Sequence, residues 1–182
     1  MSTVTLGVDV SDLIARLAIV RGSEVVASGI VAANRPAAIK DAAKKALASA
    51  GGTLSGIAIA QATATEDVAE DLRAALTAVA PKCPHHLIAA GQAAAIAEQR
   101  RGAAIGASQL IAFSIAEHVT AGVLINGTPW LGAHGLASSI GWLALNPVER
   151  EDYRRYGSLE AEVAAAGIVR RFVWRIKSGD RS

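Results

Sequence analysis

Cysteine and histidine are the residues of this chain that could bind a metal or act as nucleophile and base. Cys83, His85 and His86 lie close together, as thiol and imidazole ligands of a metal often do. In an extended segment, however, neighbouring side chains point to opposite faces, so His85 and His86 would not bind one ion. The sequence has no serine or cysteine nucleophile in an elbow such as Gly-x-Ser-x-Gly. His118 and His134 are therefore predicted to be solvated or core histidines and not catalytic bases. The sequence therefore predicts no metal site here.

The carboxylate at the end of the first apolar segment is a second candidate. The segment Leu6-Gly7-Val8-Asp9-Val10 is followed by Ser11 and Asp12. Asp9 could contact a phosphate or a metal, or its carboxylate could cap the turn together with Ser11. The turn-capping role is the one that the local sequence favours.

The first half of the chain alternates strands and helices after an opening meander. Apolar and β-branched segments predict strands at residues 4–10, 14–20 and 24–31, joined by tight turns. Helical spacing predicts a helix over 36–50 that begins at a proline and ends before Gly51. A strand at 56–60 then leads to a helix capped by Thr65, with Glu66 and Asp67 in its first turn. Its predicted apolar stripe consists of Val68, Leu72, Leu76 and Val79.

The second half begins with another strand and helix and ends in a long helix. Residues 86–90 and 91–101 read as a strand and an alanine-rich helix, and residues 110–115 and 120–125 as paired strands. Asn126-Gly127 is a strong turn signal. A final helix is predicted from Ser158 to about Lys177. The overall class is mixed α/β.

Composition excludes several classes of protein. With 182 residues, 52% of them hydrophobic, and a net charge of +2, the chain is neither disordered nor strongly basic. The uncharged stretch 118–148 contains glycine, proline and asparagine, which predicts strands and turns instead of a membrane-spanning helix. One cysteine permits no internal disulfide, and no signal peptide opens the chain, so we expect a cytoplasmic protein.

Three segments carry a resemblance to a known family. They are residues 6–10, the helix Ala-Ala-Ala-Ile-Ala-Glu at 93–98, and above all residues 122–141, which read GVLINGTPWLGAHGLASSIG. Together they resemble the ROK family of bacterial sugar kinases and sugar-responsive repressors, and the likeness continues through Gly157-Ser-Leu-Glu160. The resemblance implies an actin-like (ribonuclease H-like) ATPase fold. It implies a first lobe over residues 1–107 and a partial second lobe over 108–182, truncated relative to a whole family member.

The resemblance also implies transfer of the γ-phosphate of ATP to a sugar, but the phosphate motifs depart from the family pattern. Asp9 begins the first motif, Asp-x-Gly-Gly-Thr, which here reads Asp-Val-Ser-Asp-Leu. The second, Gly-Thr-Gly-x-Gly, falls on Ala-Glu-His-Val-Thr at 116–120. Lost glycines remove the close backbone approach to phosphate, and Asp12 and Glu117 add repulsive negative charge. We expect at most a remnant nucleotide contact, at Asp9, and no bound cofactor.

The positions that the family uses for catalysis, sugar and zinc also differ. The catalytic aspartate falls at Ala90 and its neighbouring asparagine at Ala89. A methyl group cannot accept a proton. The sugar-contacting glutamate and histidine fall at Ser139 and Trp142. That histidine and three cysteines would bind zinc, and the cysteine positions hold Glu151, Tyr153 and Ser158. The sequence predicts neither a catalytic residue, nor a sugar-binding residue, nor a zinc site.

These departures leave two functions to compare. The first is a non-catalytic ROK-like domain, related to sugar kinases and to repressor effector domains, with a regulatory role or as a relic. The alternative is an ATP-dependent hexose or N-acetylhexosamine kinase that uses unconventional residues. The residues alone do not identify a small-molecule ligand.

The apolar residues of the predicted final helix indicate how the chain associates. Its large apolar residues must be covered by the first lobe or by a second copy, and we expect a homodimer. The Lys and Arg residues between 154 and 181 lie among or after carboxylates, which indicates a solvated helix face and no nucleic-acid partner. The apolar residues of the helix are Leu159, Val163, Ile168, Val169, Phe172 and Trp174.

Overall fold

The computed structural model describes residues 2–62, 67–145, 147–148 and 150–179. Its contacts divide the chain into two units, Met1–Ala93 and Ala94–Ser182, which are described separately below. The lobes 1–107 and 108–182 rest on the family pattern and stay a prediction.

A five-stranded mixed sheet forms the first unit. Its strands follow the order β3-β2-β1-β4-β5, in which β1, β2 and β3 are antiparallel and β4 and β5 run parallel to β1. The opening meander predicted from the sequence is therefore confirmed. The strands are β1 (Thr3–Asp9), β2 (Ile14–Arg21), β3 (Glu24–Ala32), β4 (Thr53–Gln61) and β5 (His85–Ala89).

Alternation along β1 explains how the first unit builds its core. Val4, Leu6 and Val8 point to one face and are buried, together with matching residues of β2 and β4. Helix α1, Pro36–Ala50, covers this face with Ile39 and Ala43. Its bounds are those predicted, because the proline starts the helix and Gly51 continues the chain at φ 65°.

The second helix begins later than the sequence indicated. Helix α2 spans Glu70–Thr77, and its first turn carries Glu70 and Asp71. Val68 precedes the helix yet is buried with Leu72 and Leu76, so the predicted stripe is correct although the start was wrong. The predicted cap Thr65 and its neighbour Glu66 lie outside the described residues. Helix α3, Ala90–Arg101, follows β5 directly.

The second unit contains a three-stranded antiparallel sheet of order β6-β7-β8. Its strands are β6 (Leu110–Ile115), β7 (Val119–Ile125) and β8 (Thr128–Pro129). Asn126 and Gly127 both have positive φ, at 52° and 72°, as the tight turn between β7 and β8 requires. Within the described residues, no helix is both long enough and apolar enough to cross a bilayer.

Three helices follow a short 3-10 helix, Ile140–Trp142. They are α4 (Glu151–Tyr156), α5 (Ser158–Val163) and α6 (Ala165–Lys177). The single helix predicted over 158–177 was wrong, because Ala164 is extended, with ψ 154°, and separates α5 from α6. The break lets the N–H of Ala165 donate to the carbonyl of Ala116, 3.0 Å away, and brings Gly167 against the backbone of Ala161. A small core of Val119, Leu159 and Ala164 lies beside it.

Candidate functional site

Asp9 lies at the carboxyl end of β1, where its carboxylate is held by the following turn. Its Oδ1 accepts hydrogen bonds from the backbone N–H of Ser11 (2.9 Å) and from the Ser11 hydroxyl (2.6 Å). Nη1 of Arg16 lies 3.9 Å from its Oδ2, as an exposed ion pair. Oδ1 of Asp9 is therefore already hydrogen-bonded within the chain, in an Asx turn.

Asp12 adds a second carboxylate to the same turn. Its Oδ1 accepts the N–H of Leu13 at 2.7 Å, and its Oδ2 lies 3.5 Å from Nη2 of Arg16. A single guanidinium therefore faces two carboxylates. An incoming polyphosphate would meet net negative charge at this turn.

The junction of β5 and α3 holds the position at which the resemblance implies the catalytic aspartate. Because β1, β4 and β5 are parallel, Asp9 and the β5–α3 junction lie at the same edge of the sheet, which is where α/β sheets bind ligands. Ala89 ends β5 and Ala90 begins α3. Neither carries a group that accepts or donates a proton. Gln92, two residues further along α3, is fully buried.

Cys83, His85 and His86 lie at the opposite end of β5. Sγ of Cys83 lies 3.8 Å from the carbonyl oxygen of Leu54, and burial raises the pKa of this thiol. Burial also lowers the pKa of His85, and the positive charge of Arg73 adds to this effect. Within the described residues, no cluster of three or more Cys, His, Asp or Glu side chains could hold a metal ion.

In the second unit, Glu160 forms a pair with His118 that the sequence did not predict. Nδ1 of His118 lies 3.0 Å from Oε1 of Glu160, and the backbone N–H of Val119 donates to Oε2 at 2.6 Å. The carboxylate is only 17% exposed, whereas the imidazole is 54% exposed. The pair is 42 residues apart in sequence, and only folding of α5 onto the start of β7 joins it. A carboxylate that orients an imidazole is an arrangement able to accept a proton. His134 lies apart, exposed in the loop after β8.

Two glycines shape the backbone around Glu160. A Cβ on Gly141 would lie 3.2 Å from Oε2 of Glu160, and a Cβ on Gly157 would lie 2.3 Å from the carbonyl oxygen of Gly141. Gly157 also has φ +90°, a conformation that disfavours any side chain. The 3-10 helix and α5 therefore approach each other closely only because both positions are glycine.

Ser139 and Trp142 border this 3-10 helix. Their side chains are a short hydroxyl and an exposed indole, at the positions where the resemblance implies the sugar-contacting glutamate and histidine. The N–H of Ser139 donates to the carbonyl of Leu136 at 3.0 Å, as part of the turn. These two residues provide neither a carboxylate nor an imidazole.

A cluster of charged and phenolic groups connects α4, α5 and α6. The carboxylate of Glu162 accepts the Tyr153 hydroxyl at 2.5 Å and lies 2.5 Å from Nη1 of Arg171 and 3.2 Å from Nη1 of Arg150. Arg150 also donates two hydrogen bonds to Asp152, of 3.1 and 2.8 Å. We call these five residues the Glu162 cluster.

Tyr153 of the Glu162 cluster is one of the four positions at which the resemblance implies zinc ligands, and the residues at these positions do not fit that metal. A structural zinc needs about four nitrogen or sulfur donors. Tyr153 donates its hydroxyl to Glu162, Ser158 accepts the N–H of Leu145 at 3.3 Å, and Trp142 has no lone pair to offer. Glu151 is exposed at the start of α4. Hydrogen bonds and ion pairs connect the residues of this part of the described chain.

The acceptor at Glu162 raises the pKa of Tyr153, mainly through their hydrogen bond. The protonated phenol is therefore stabilised in the folded protein, and this contribution is complete below the ordinary tyrosine pKa of about 10. It is lost as the pH rises through the raised pKa. We expect Tyr153→Phe to lower the free energy of unfolding at pH 8, and this difference to shrink above pH 10. Urea denaturation of both proteins across pH 7–11 measures it, and a difference that stays constant or grows would contradict the assignment.

Comparisons with known proteins agree with this topology. The ROK family model matches residues 29–172. The ROK hexokinase of Thermus thermophilus superposes with a TM-score of 0.75 at 20% identity, covering 96% of this chain and 64% of that one. No curated protein sequence shows significant similarity to the chain.

Two further solved structures show the same fold. A ROK family transcriptional regulator, a homologue of the E. coli MLC protein, has a TM-score of 0.71 at 18% identity, covering all of this chain and 52% of that one. A ROK family glucokinase from Streptomyces griseus, in complex with glucose and AMPPNP, has a TM-score of 0.70 at 22% identity, with coverages of 96% and 62%.

These comparisons establish the fold and the family. The chain spans between about half and just under two thirds of the length of these three structures. It has the α/β, actin-like (ribonuclease H-like) ATPase fold that they share. Since the family model matches most of its length, the chain belongs to the ROK family.

Proposed function

We propose that this chain is a non-catalytic ROK domain, related to sugar kinases and to the effector domains of sugar-responsive repressors, with a regulatory role or as a relic. The observation that carries the proposal is Ala90, at the start of α3. The resemblance assigns the general base to this position, and a positioned base is worth about 100-fold to 10,000-fold in rate. The methyl side chain of Ala90 cannot accept a proton.

Charges at the expected phosphate positions support the same conclusion. Asp12 shares Arg16 with Asp9, so the turn after β1 presents two carboxylates to any anion. Glu117 brings a further carboxylate to the turn between β6 and β7. Repulsion of ATP at these turns would come in addition to the missing base.

The proposal also assigns a cellular compartment and the absence of a bound cofactor. A single cysteine, which has no second cysteine in the chain to pair with, fits a reducing compartment, so we assign the protein to the cytoplasm. Since the residues at the family zinc positions do not form a ligand set, we assign no metal or other cofactor.

A second function rests on a different observation. The His118–Glu160 pair is a carboxylate and imidazole at hydrogen-bond distance, with a backbone N–H that fixes the carboxylate. If the chain phosphorylates a hexose or an N-acetylhexosamine, this pair is its best candidate for a general base. The kinase alternative therefore predicts that Glu160→Gln abolishes turnover.

A ligand screen by thermal shift tests the proposal at the binding step. A ligand that binds only the folded state raises the midpoint of unfolding. We expect no shift with ATP or ADP at concentrations up to millimolar. A shift with a sugar or sugar phosphate alone identifies a regulatory sensor, and no shift with any ligand identifies a relic. A nucleotide-dependent shift that is lost in Asp9→Ala would contradict the proposal.

A further inference from the structure

A cavity of about 900 Å³ in the second unit is lined by α6 together with Arg150, Tyr153 and Glu162. Pockets that bind small molecules have volumes in this range. Five cations line the cavity and only one carboxylate, that of Glu162, so the lining has a clear excess of positive charge. The cations of this cavity, which we call the α6 cavity, are Arg150, Arg170, Arg171, Arg175 and Lys177.

Carboxylates of the chain hold two of these guanidiniums in place. Arg150 donates to Asp152 and Glu162 over distances between 2.8 and 3.2 Å. Nη1 of Arg171 lies 2.5 Å from the carboxylate of Glu162 and donates to the Glu162 carbonyl oxygen at 3.3 Å. Within the described residues, Nε and Nη2 of Arg171 have no acceptor. These two nitrogens form the fork whose parallel N–H groups bind a phosphate through two hydrogen bonds.

Two further cations of the α6 cavity have no carboxylate opposite them. The guanidinium of Arg170 lies 4.4 Å from the centre of the Tyr156 ring, a contact that leaves its positive charge without an anion. In the part of the chain that the structure describes, neither Arg170 nor Lys177 forms an ion pair, and α6 contains no acidic residue. Because like charges around one cavity repel each other, a bound anion would relieve this repulsion.

The rest of the lining from α6 is aromatic and aliphatic. Trp174 is 68% exposed, and Val169 and Val173 are exposed beside it along the helix. An indole offers a flat face on which another ring can stack. An inorganic anion would contact the cations alone and leave this face and most of the volume unused. The lining therefore fits an anionic group that is attached to a ring.

We propose that the α6 cavity binds a small organic phosphate, with its cations on the phosphate and the Trp174 indole against the ring of the ligand. Sugar phosphates and nucleoside monophosphates share this chemistry, a phosphate monoester carried on a ring. None of the positions that the resemblance assigns to catalysis or to sugar contact lines the cavity. The proposal is therefore independent of whether the chain catalyses phosphotransfer.

Isothermal titration calorimetry of the full chain tests the proposal. The probes are glucose 6-phosphate and AMP, with glucose, adenosine and inorganic phosphate as the separate parts of these ligands. We expect at least one ester to bind about tenfold more tightly, or more, than inorganic phosphate and than its own unphosphorylated form, since only the ester uses both the cations and the ring face. The ester that binds identifies the source of the phosphate.

Four substitutions locate the binding. Arg170→Ala and Lys177→Ala each remove one cation from the cavity and should weaken binding of the ester about tenfold. Trp174→Ala should weaken binding of the ester but leave the affinity for inorganic phosphate unchanged. Arg100→Ala is the matched control, because it removes an exposed arginine of the same unit that does not line the cavity. It should leave the affinity for the ester unchanged.

All four side chains are exposed, so the unfolding midpoint of each variant without ligand should match that of the wild type. Three results would overturn the proposal. The first is that neither ester binds at millimolar concentration. The second is that inorganic phosphate binds as tightly as the esters, which would show an adventitious ion only. The third is equal weakening by Arg170→Ala, Lys177→Ala and Arg100→Ala, which would show a general effect of positive charge and no site in the α6 cavity.

Discussion

Replacing Gly157 by alanine should destabilise the second unit by at least about 3 kcal/mol. The backbone of Gly157, at φ +90° and ψ 149°, lies in a region that is essentially restricted to glycine, which alone costs an alanine about 1–3 kcal/mol. The added Cβ would also lie 2.3 Å from the carbonyl oxygen of Gly141, a backbone atom that cannot rotate away. The 3-10 helix and α5 must then separate, which disturbs the contact of Gly141 with Glu160. Urea denaturation followed by tryptophan fluorescence reports this unit, because Trp130, Trp142 and Trp174 all lie in it.

Gly135→Ala is the matched control for this substitution. Gly135 also has a positive φ, of 72°, but a Cβ there meets nothing within 4 Å. Only the cost of the positive φ applies, so we expect Gly135→Ala to lower the free energy of unfolding by about 1–2 kcal/mol. Equal effects of the two substitutions would show that the close approach of Gly157 to Gly141 contributes nothing.

Glu162→Gln should have the next largest effect, a loss of about 1–3 kcal/mol in the free energy of unfolding. Glu162 is the common acceptor for Tyr153, Arg150 and Arg171, and it is only 17% exposed. The neutral amide of the variant removes the anion that the two guanidiniums share. Its NH₂ group, itself a donor, would then face the N–H donors of an arginine. The free energy of unfolding from urea denaturation measures the loss.

Glu151→Gln provides the comparison for Glu162. It removes one carboxylate from the same region, but Glu151 is exposed at the start of α4. We expect a change of about 0.5 kcal/mol or less, since exposed charges contribute little. If the two variants lose equal stability, net charge and not the Glu162 cluster accounts for the effect.

Local patterns predicted the elements that depend on local rules. The meander β1–β3, the bounds of α1 and the turn at Asn126-Gly127 follow from alternation, proline and positive-φ residues. The start of α2 at Glu70 did not follow, because the buried Val68 fits the helical stripe although it lies before the helix. The break at Ala164 depends on contacts of Ala165 with Ala116 and of Gly167 with Ala161, which no local pattern contains.

The candidate-site residues also differ in whether the sequence could indicate them. The assignment of Ala90, Ser139 and Trp142 to family site positions rests on motifs in the sequence and stays a prediction. The His118–Glu160 pair and the Glu162 cluster could not be predicted from the sequence, since each joins residues on separate elements through the fold of α4, α5 and α6. Sequence also indicated the apolar residues of the final helix, but only the structure shows that Ile168 and Phe172 are exposed.

Coupled measurement of ADP release tests the central claim, that the chain keeps the ROK fold without phosphotransfer. The full chain is assayed with ATP across a panel of hexoses and N-acetylhexosamines, beside an active sugar kinase as positive control. We expect no sugar-dependent ADP release above the rate without protein, from the wild type and from its Asp9→Ala and Glu160→Gln variants alike. Sustained sugar-dependent turnover that either substitution abolishes would contradict the account and establish a kinase with unconventional residues.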